Sequence, residues 1–300
     1  MIIVTSGARY IDIDAYAGII AYAKLLNLKG ENAIAYSSSP LNESVTNSIR
    51  NSKYTISNQI NLTDNDEFII LDVSDPDFFD KSVDMARIIQ IIDHHYGFED
   101  YWNSKSNVDT IIEKIGSVAT IIFELYEKEN LLEDLDKDMC LLLMSAILDN
   151  TLNFKAKVTT SRDIEAYKKL EKLSNSNFNY AEFYFNECEN EINKNLKEAI
   201  LNDTKLDNSS GKVPPVFSQL TVWDASSILD DINLIYESLN SFKKPWLMNL
   251  ISLKDGKSYL ISNDDNIKFN LKITFNCNFS NDIAILPDVW LRKEIIKKLL

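Results

Sequence analysis

The chain contains two histidines, and they are adjacent: Asp93-His94-His95 closes the apolar run from Arg87 to Ile92. Imidazole and carboxylate together suit borderline divalent ions such as manganese, zinc or iron(II), whereas an all-oxygen set favours magnesium or calcium. Mn²⁺ is the first expectation. Successive side chains on an extended strand point opposite ways, so His94 and His95 are expected to serve differently unless the backbone turns there. One would bind metal; the other would face a substrate or orient a ligand.

Further acids lie at comparable positions. Asp12 and Asp14 follow the first apolar run, Met1 to Thr5, and two-residue spacing in an extended loop puts both carboxylates on one side, as two ions sharing a site require. Taken alone, Asp-x-Asp is more ordinarily a loop or cap feature. Asp72 ends another apolar run, Glu67 to Leu71, where Asp75 and Asp77 compete with it on composition. Asp149 ends a Leu-rich helical segment, where a satisfied cap or turn residue is an equal alternative.

The elements that must position these acids alternate short apolar runs with helical patterns. Ala15 to Leu28, a stretch around Leu41 to Asn51, Gly116 to Glu127 and Lys137 to Leu148 read as helices, and another starts at Ser161. Such alternation predicts an α/β fold with a parallel sheet flanked by helices, and such sheets place ligands at the carboxyl ends of their strands. Ser174 to Asn177 reads as a surface loop near the end of a first domain, and Tyr180 to Leu201 as charged helix leading to a second. The second half reads as a smaller α+β domain: strands over Val216 to Trp223, Trp246 to Leu253 and Tyr259 to Phe275, and a helix over Ser226 to Asn240. The 300 residues suit two domains with a cleft between them, divided as 1–185 and 186–300.

Composition narrows the function. An apolar fraction of 45% with 10% aromatics implies a folded chain. The net charge of -14 disfavours a broad nucleic-acid surface and favours metal cations. No apolar run approaches the roughly eighteen residues of a membrane span, and the opening residues lack a signal-peptide pattern, so a cytoplasmic location is expected. Cys140, Cys188 and Cys277 are widely spaced and odd in number, which suits reduced structural thiols.

In chain order, Asp12-Ile13-Asp14, Asp72, Asp93-His94-His95 and Ala146 to Lys155 resemble the four motifs of the DHH phosphoesterases. The last of these, followed by Thr159-Thr160-Ser161-Arg162-Asp163, is similar to family II, manganese-dependent inorganic pyrophosphatases. Asn202 to Lys205, Phe217-Ser218-Gln219 and Leu286 to Lys293 resemble the DHHA2 domain that these enzymes share with exopolyphosphatases. The resemblance implies a DHH metal-binding catalytic domain, a DHHA2 substrate-binding domain and an active site in the cleft. It implies two Mn²⁺ ions, with Co²⁺ or Mg²⁺ as alternatives: one on Asp12 and Asp72, the other on Asp14, Asp72, His94 and Asp149. Asp93 would support the site, His95 would contact substrate, and Lys205, Arg292 and Lys293 would hold phosphates. Without the resemblance, Arg292 and Lys293 would read as helix-end or surface charge. The implied substrate is pyrophosphate or polyphosphate, and a homodimer is compatible with the resemblance.

The chain departs from the family pattern at two places. Pyrophosphatases carry a metal-binding histidine four residues before the first motif aspartate; here that residue is Ala8, which weakens the first metal site. Arg9 beside it is either a replacement positive charge or a surface arginine. Leu291 and Glu294 stand where a serine and a second lysine are usual around Arg292-Lys293. Two other readings follow: a phosphoesterase for a small phosphorylated nucleotide, or a non-catalytic metal- or phosphate-binding protein. The sister class with a glycine-rich DHHA1 domain is disfavoured because no Gly-Gly pair occurs.

Overall fold

A computed structural model of the chain describes residues 1–176, 178–207 and 211–300. They divide into two compact units, Met1–Ala181 and Glu182–Leu300. The first contains β1 (Ile2–Thr5), α1 (Ile13–Leu28), β2 (Ala33–Ala35), α2 (Asn47–Arg50), β3 (Glu67–Leu71), β4 (Ile88–Asp93), α3 (Glu99–Asn103), β5 (Asp109–Ile112), α4 (Val118–Lys128), α5 (Lys137–Asn150) and α6 (Ser161–Ser174). The second follows with α7 (Tyr180–Lys194), whose first residues belong to the first unit, α8 (Leu196–Asn202), β6 (Thr204–Leu206), β7 (Val216–Val222), α9 (Ser226–Asp230), α10 (Ile232–Asn240), β8 (Trp246–Ser252), β9 (Lys257–Ile261), α11 (Asp265–Phe275), β10 (Phe279–Ser280), β11 (Ile283–Leu286) and α12 (Arg292–Leu299).

In the first unit the strands form one parallel sheet in the order β2-β1-β3-β4-β5. Phe68, Ile69, Ile70 and Leu71 are buried without interruption, as expected of a strand covered on both faces. Helix α1 is buried at every residue from Ile13 to Ala23 and packs on α4 and α5. Its Gly18 is what allows that approach, since a Cβ there would lie 3.0 Å from Val118 Cγ1. With all strands parallel, Asp72 and Asp93 come to the same edge of the sheet, beside the loop that carries β1 into α1.

The second unit holds a six-stranded mixed sheet, β10-β11-β9-β8-β7-β6, in which only β7 and β8 run parallel. That pair is joined through α9 and α10, as a parallel connection requires.

Several expected elements differ. The helix expected over Leu41 to Asn51 contracts to the four residues of α2, because the backbone ahead of it is engaged elsewhere. Ile11 N–H donates to Pro40 O, Asn42 N–H donates to Ile11 O, and Ser44 N–H donates to Asn42 Oδ1. Strands β2 and β5 were not anticipated. Tyr259 to Phe275 is one strand and then helix α11, not further strands; Asp264 caps it by accepting from Ile267 N–H, and Ile267 and Leu271 supply its buried face. The helix expected over Ser226 to Asn240 breaks at Asp231 into α9 and α10. Of the expected loop Ser174 to Asn177, Asn175 is a left-handed helix cap and Asn177 lies outside the described residues.

Candidate metal centre

Asp14, Asp72, Asp93 and the two histidines come together by different local routes. Asp72 follows β3 in a left-handed conformation, φ 61°, which an aspartate tolerates better than most residues. Its N–H donates to Ile92 O at 2.9 Å, tying the turn to the neighbouring strand. Asp93 is the last residue of β4 and fully buried. Its Oδ1 accepts from His94 N–H at 2.7 Å, His95 N–H at 3.1 Å and His95 Nδ1 at 2.9 Å. One carboxylate oxygen thus sets the turn that carries both imidazoles. Burial alone would raise the Asp93 carboxyl, but hydrogen bonding and positive charge from His95 outweigh it and hold the group below the usual carboxylate range.

The turn separates the two rings, with planes at 67°. The His94 side chain is 2% exposed and that of His95 is 52% exposed. His94 Nδ1 lies 3.1 Å from Ile115 O; a carbonyl only accepts, so Nδ1 carries the proton. The other nitrogen, Nε2, is buried without a hydrogen-bond partner, 3.2 Å from Asp72 Oδ1 and 3.8 Å from Asp14 Oδ2. A lone pair that faces two carboxylates is repelled unless a cation stands among them. Ligand atoms of Asp72, His94 and His95 all lie within 4.8 Å of one another. This nitrogen and oxygen set, with His94 buried and His95 half-exposed, fits a borderline divalent ion on its own chemistry.

Asp12 and Asp14 do not share an extended loop, as their spacing suggested. Helix α1 begins at Ile13, so Asp12 is its N-cap, with Oδ1 accepting from Ala15 N–H at 3.0 Å, and Asp14 lies inside the first turn. The Asp14 carboxylate is fully buried at the start of α4. Oδ1 accepts from Ser117 Oγ at 2.7 Å and Ala119 N–H at 2.9 Å, and Oδ2 from Val118 N–H at 2.8 Å. Even so, burial first and the nearby Asp72 charge second push its carboxyl well above the usual range. The centre therefore carries a standing demand for positive charge.

Asp149 lies in the last turn of α5, a turn with no basic residue, where the helix dipole disfavours a carboxylate in the absence of a cation. The turn that follows places Leu152, Asn153 and Phe154 at φ 50°, 53° and 63°, a costly run for residues with side chains. Hydrogen bonds offset part of that cost: Asn153 N–H donates to Leu148 O at 2.8 Å and Phe154 N–H to Thr151 Oγ1 at 3.1 Å.

The structure thus brings together Asp14, Asp72, Asp93, His94 and His95, and puts Asp12 and Asp149 on the helices α1 and α5 that pack together. Ala8 donates its N–H to Phe78 O at 2.8 Å, and Arg9 is exposed. In the second unit Lys205 and Lys293 are exposed, but Arg292 is buried. Its Nη1 donates to Asp203 O at 2.7 Å and Phe217 O at 3.0 Å, and Nη2 donates to Asp203 Oδ1 at 2.6 Å. Here that guanidinium joins α12 to the end of α8 and to β7. Sequence reasoning missed Ile115, Ser117 and the Asp203 partner; the only sequence signal among them was a serine ahead of the apolar helix α4.

A parallel sheet with acids and imidazoles at one edge defines a class, and the comparisons bear it out. Residues 2–147 match the family model described as the DHH family, N-terminal domain. Over nearly the whole chain the similarity is more particular. A manganese-dependent inorganic pyrophosphatase of Methanocaldococcus jannaschii is 29% identical over 231 residues, covering 71% of this chain and 74% of that protein. A Clostridium acetobutylicum protein named "Probable manganese-dependent inorganic pyrophosphatase" is 26% identical over 98% of this chain and 95% of its own length. Among solved structures, one from Methanococcus jannaschii assigned to the family II inorganic pyrophosphatases superposes with TM-score 0.69 at 25% identity, covering 100% and 98% of the two chains. An exopolyphosphatase-related protein from Bacteroides fragilis shares the fold, with TM-score 0.53 at 14% identity over 99% and 89%.

Proposed function

We propose that this chain is a divalent-metal-dependent phosphoanhydride hydrolase, with inorganic pyrophosphate or short polyphosphate as substrate. The observation that carries the reading is His94: its Nδ1 proton is committed to Ile115 O, and its Nε2 faces Asp72 and Asp14 with no hydrogen-bond partner of its own. The named relatives support manganese as the metal.

Asp14, Asp72, His94 and Asp149 would hold one ion, and Asp12 with Asp72 a second, for which Ala8 supplies no ligand. Bound metal supplies Lewis acidity and lowers the pKa of water, the chemistry that phosphoanhydride cleavage requires. Asp93 orients both imidazoles through one oxygen. The half-exposed His95, with Nδ1 held by Asp93, keeps Nε2 for a phosphate oxygen. Lys205 and Lys293 of the second unit are assigned to the phosphates, while Arg292 acts chiefly by fixing the start of α12. A cytoplasmic location belongs to the same reading.

The test is phosphate release from pyrophosphate, tripolyphosphate, long polyphosphate and nucleotide monoesters, each with Mn²⁺, Co²⁺ and Mg²⁺. Release from the anhydrides that Asp93→Ala abolishes supports the assignment, and release confined to monoesters redirects it to nucleotides. No release from any of them, with an Asp93→Ala control that behaves identically, ends it. Ala8 specifically favours a second reading, a metal- or phosphate-binding protein without turnover. Metal content separates the two, since about two ions per chain are expected of a two-metal hydrolase and one or none of the binder.

A further inference from the structure

Ile115, Gly116 and Ser117 lead from β5 into α4, all three buried, and each bonds to a different side chain distant in sequence. Ile115 O accepts from His94 Nδ1 at 3.1 Å. Ser117 Oγ donates to Asp14 Oδ1 at 2.7 Å. Between them, Gly116 N–H donates to Asp163 Oδ2 at 3.0 Å. Any displacement of this tripeptide moves an imidazole and a carboxylate of the metal centre together.

Asp163 is fully buried in the first turn of α6. Its Oδ2 accepts from Thr160 N–H and Thr160 Oγ1, both at 2.8 Å, as well as from Gly116, and its Oδ1 accepts from Thr120 Oγ1 at 2.7 Å. The Thr160 N–H bond, paired with Asp163 N–H donating to Thr160 Oγ1 at 3.4 Å, is an ordinary capping box. Capping α6 requires no bond to Gly116 or Thr120, so the carboxylate does more than end a helix. Burying a charge is costly, and four donors from three segments offset that cost only in this arrangement. The glycine is equally constrained: a Cβ on Gly116 would meet Thr151 Cγ2 at 2.7 Å and Asp163 Oδ2 at 2.8 Å. The tripeptide is clamped between Asp163 and the end of the helix that carries Asp149.

We infer that Asp163 is a positioning residue for the metal centre, acting through Gly116 to hold Ile115 O against His94 and Ser117 against Asp14. The inference rests on the metal-dependent reading above. Loss of such outer contacts weakens metal binding by roughly 10–100-fold.

The experiment measures Mn²⁺ affinity by electron paramagnetic resonance of the free ion, on full-length protein shown to be folded by circular dichroism. Asp163→Ala is expected to lose affinity within that range, and Asp163→Asn, which keeps the volume and one acceptor, to lose less. Thr160→Ala weakens the cap but leaves the Gly116 bond, so its affinity should stay within about twofold of the parent. An independent readout needs no metal: in ¹⁵N-histidine-labelled protein only two imidazoles contribute, and the Nδ1 proton of His94 should be slow to exchange in the parent and in Thr160→Ala but fast in Asp163→Ala. Folded Asp163 variants with parental affinity and a parental Nδ1 proton would overturn the inference while leaving the hydrolase reading intact. Absence of Mn²⁺ binding by the unsubstituted chain would overturn both.

Discussion

Asp14→Asn separates the shape of the metal centre from its charge. Asp14 is fully buried, close to Asp72, and its carboxyl is held well above the usual range by burial and by that neighbouring charge. In metal-free protein the folded state therefore binds a proton more tightly at this residue than the unfolded chain does. Between the unfolded and folded pKa values the native state holds more protons, so stability falls as pH rises. Each tenfold difference in proton affinity contributes about 1.4 kcal/mol of that fall. Asparagine keeps the volume and one acceptor for Ser117 and α4 but has no proton to lose. In EDTA, the parent's urea midpoint should decline with pH across this window, and that of Asp14→Asn should decline less, so that the difference between them grows in the variant's favour. Added Mn²⁺ reverses the order. Saturation at about 100-fold over the dissociation constant stabilises the parent by about 2.7 kcal/mol, and a variant short of one anionic ligand gains much less. Urea titrations by circular dichroism at several pH values, with EDTA and with Mn²⁺, supply every term. A parent whose metal-free stability rises with pH in parallel with the variant, or a variant stabilised by Mn²⁺ as strongly as the parent, would refute the reasoning.

Other expectations follow from the same packing. Trp102 is fully buried, stacks on Phe79 and donates Nε1–H to Ser74 O at 2.6 Å, bracing the turn that follows Asp72; Trp102→Ala should cost about 3–5 kcal/mol in urea unfolding. Gly18→Val should cost about 1–3 kcal/mol, because the added atoms press α1 against Val118. Arg292→Ala removes a buried guanidinium whose partner Asp203 is 37% exposed, together with its bonds to backbone carbonyls, and should destabilise the second unit by about 1–3 kcal/mol. Lys293→Ala should change stability by no more than about 0.5 kcal/mol, and its effect should appear in the KM for pyrophosphate. For Asp136, burial alone would raise the carboxyl, but the Tyr54 hydroxyl, the Met139 amide and nearby lysines outweigh it and lower it to about 2. Its contribution is present above the unfolded pKa and is lost as pH falls toward about 2, so Asp136→Asn should flatten the acid limb of the stability profile.

Much of the first unit could be read from residue order, for a physical reason. A strand covered on both faces is a continuous apolar run, and Glu67 to Leu71 and Arg87 to Ile92 display one each, with an acid at each carboxyl end. The shorter strands β2 and β5 lack that signature: β2 has three residues, and β5 is only partly buried. Helix α11 was misread because its buried face rests on Ile267 and Leu271 alone, and four-residue spacing is easily lost among strand-forming neighbours. The expected helix over Leu41 to Asn51 failed because its backbone groups had partners at Ile11, thirty residues away.

By itself, the sequence determined that an adjacent histidine pair and a set of acids would close the strands of a parallel sheet, since covalent order and apolar runs carry that information. Only tertiary structure decided which atoms face which. It sends His94 inward and His95 outward through one oxygen of Asp93, and it sets Asp14 on a helix start that belongs to residues a hundred positions away. It also turns Arg292 toward Asp203, and joins His94 to Asp163 through a glycine with no room for a side chain. Each depends on hydrogen-bond direction and on burial between distant segments, which residue spacing does not encode.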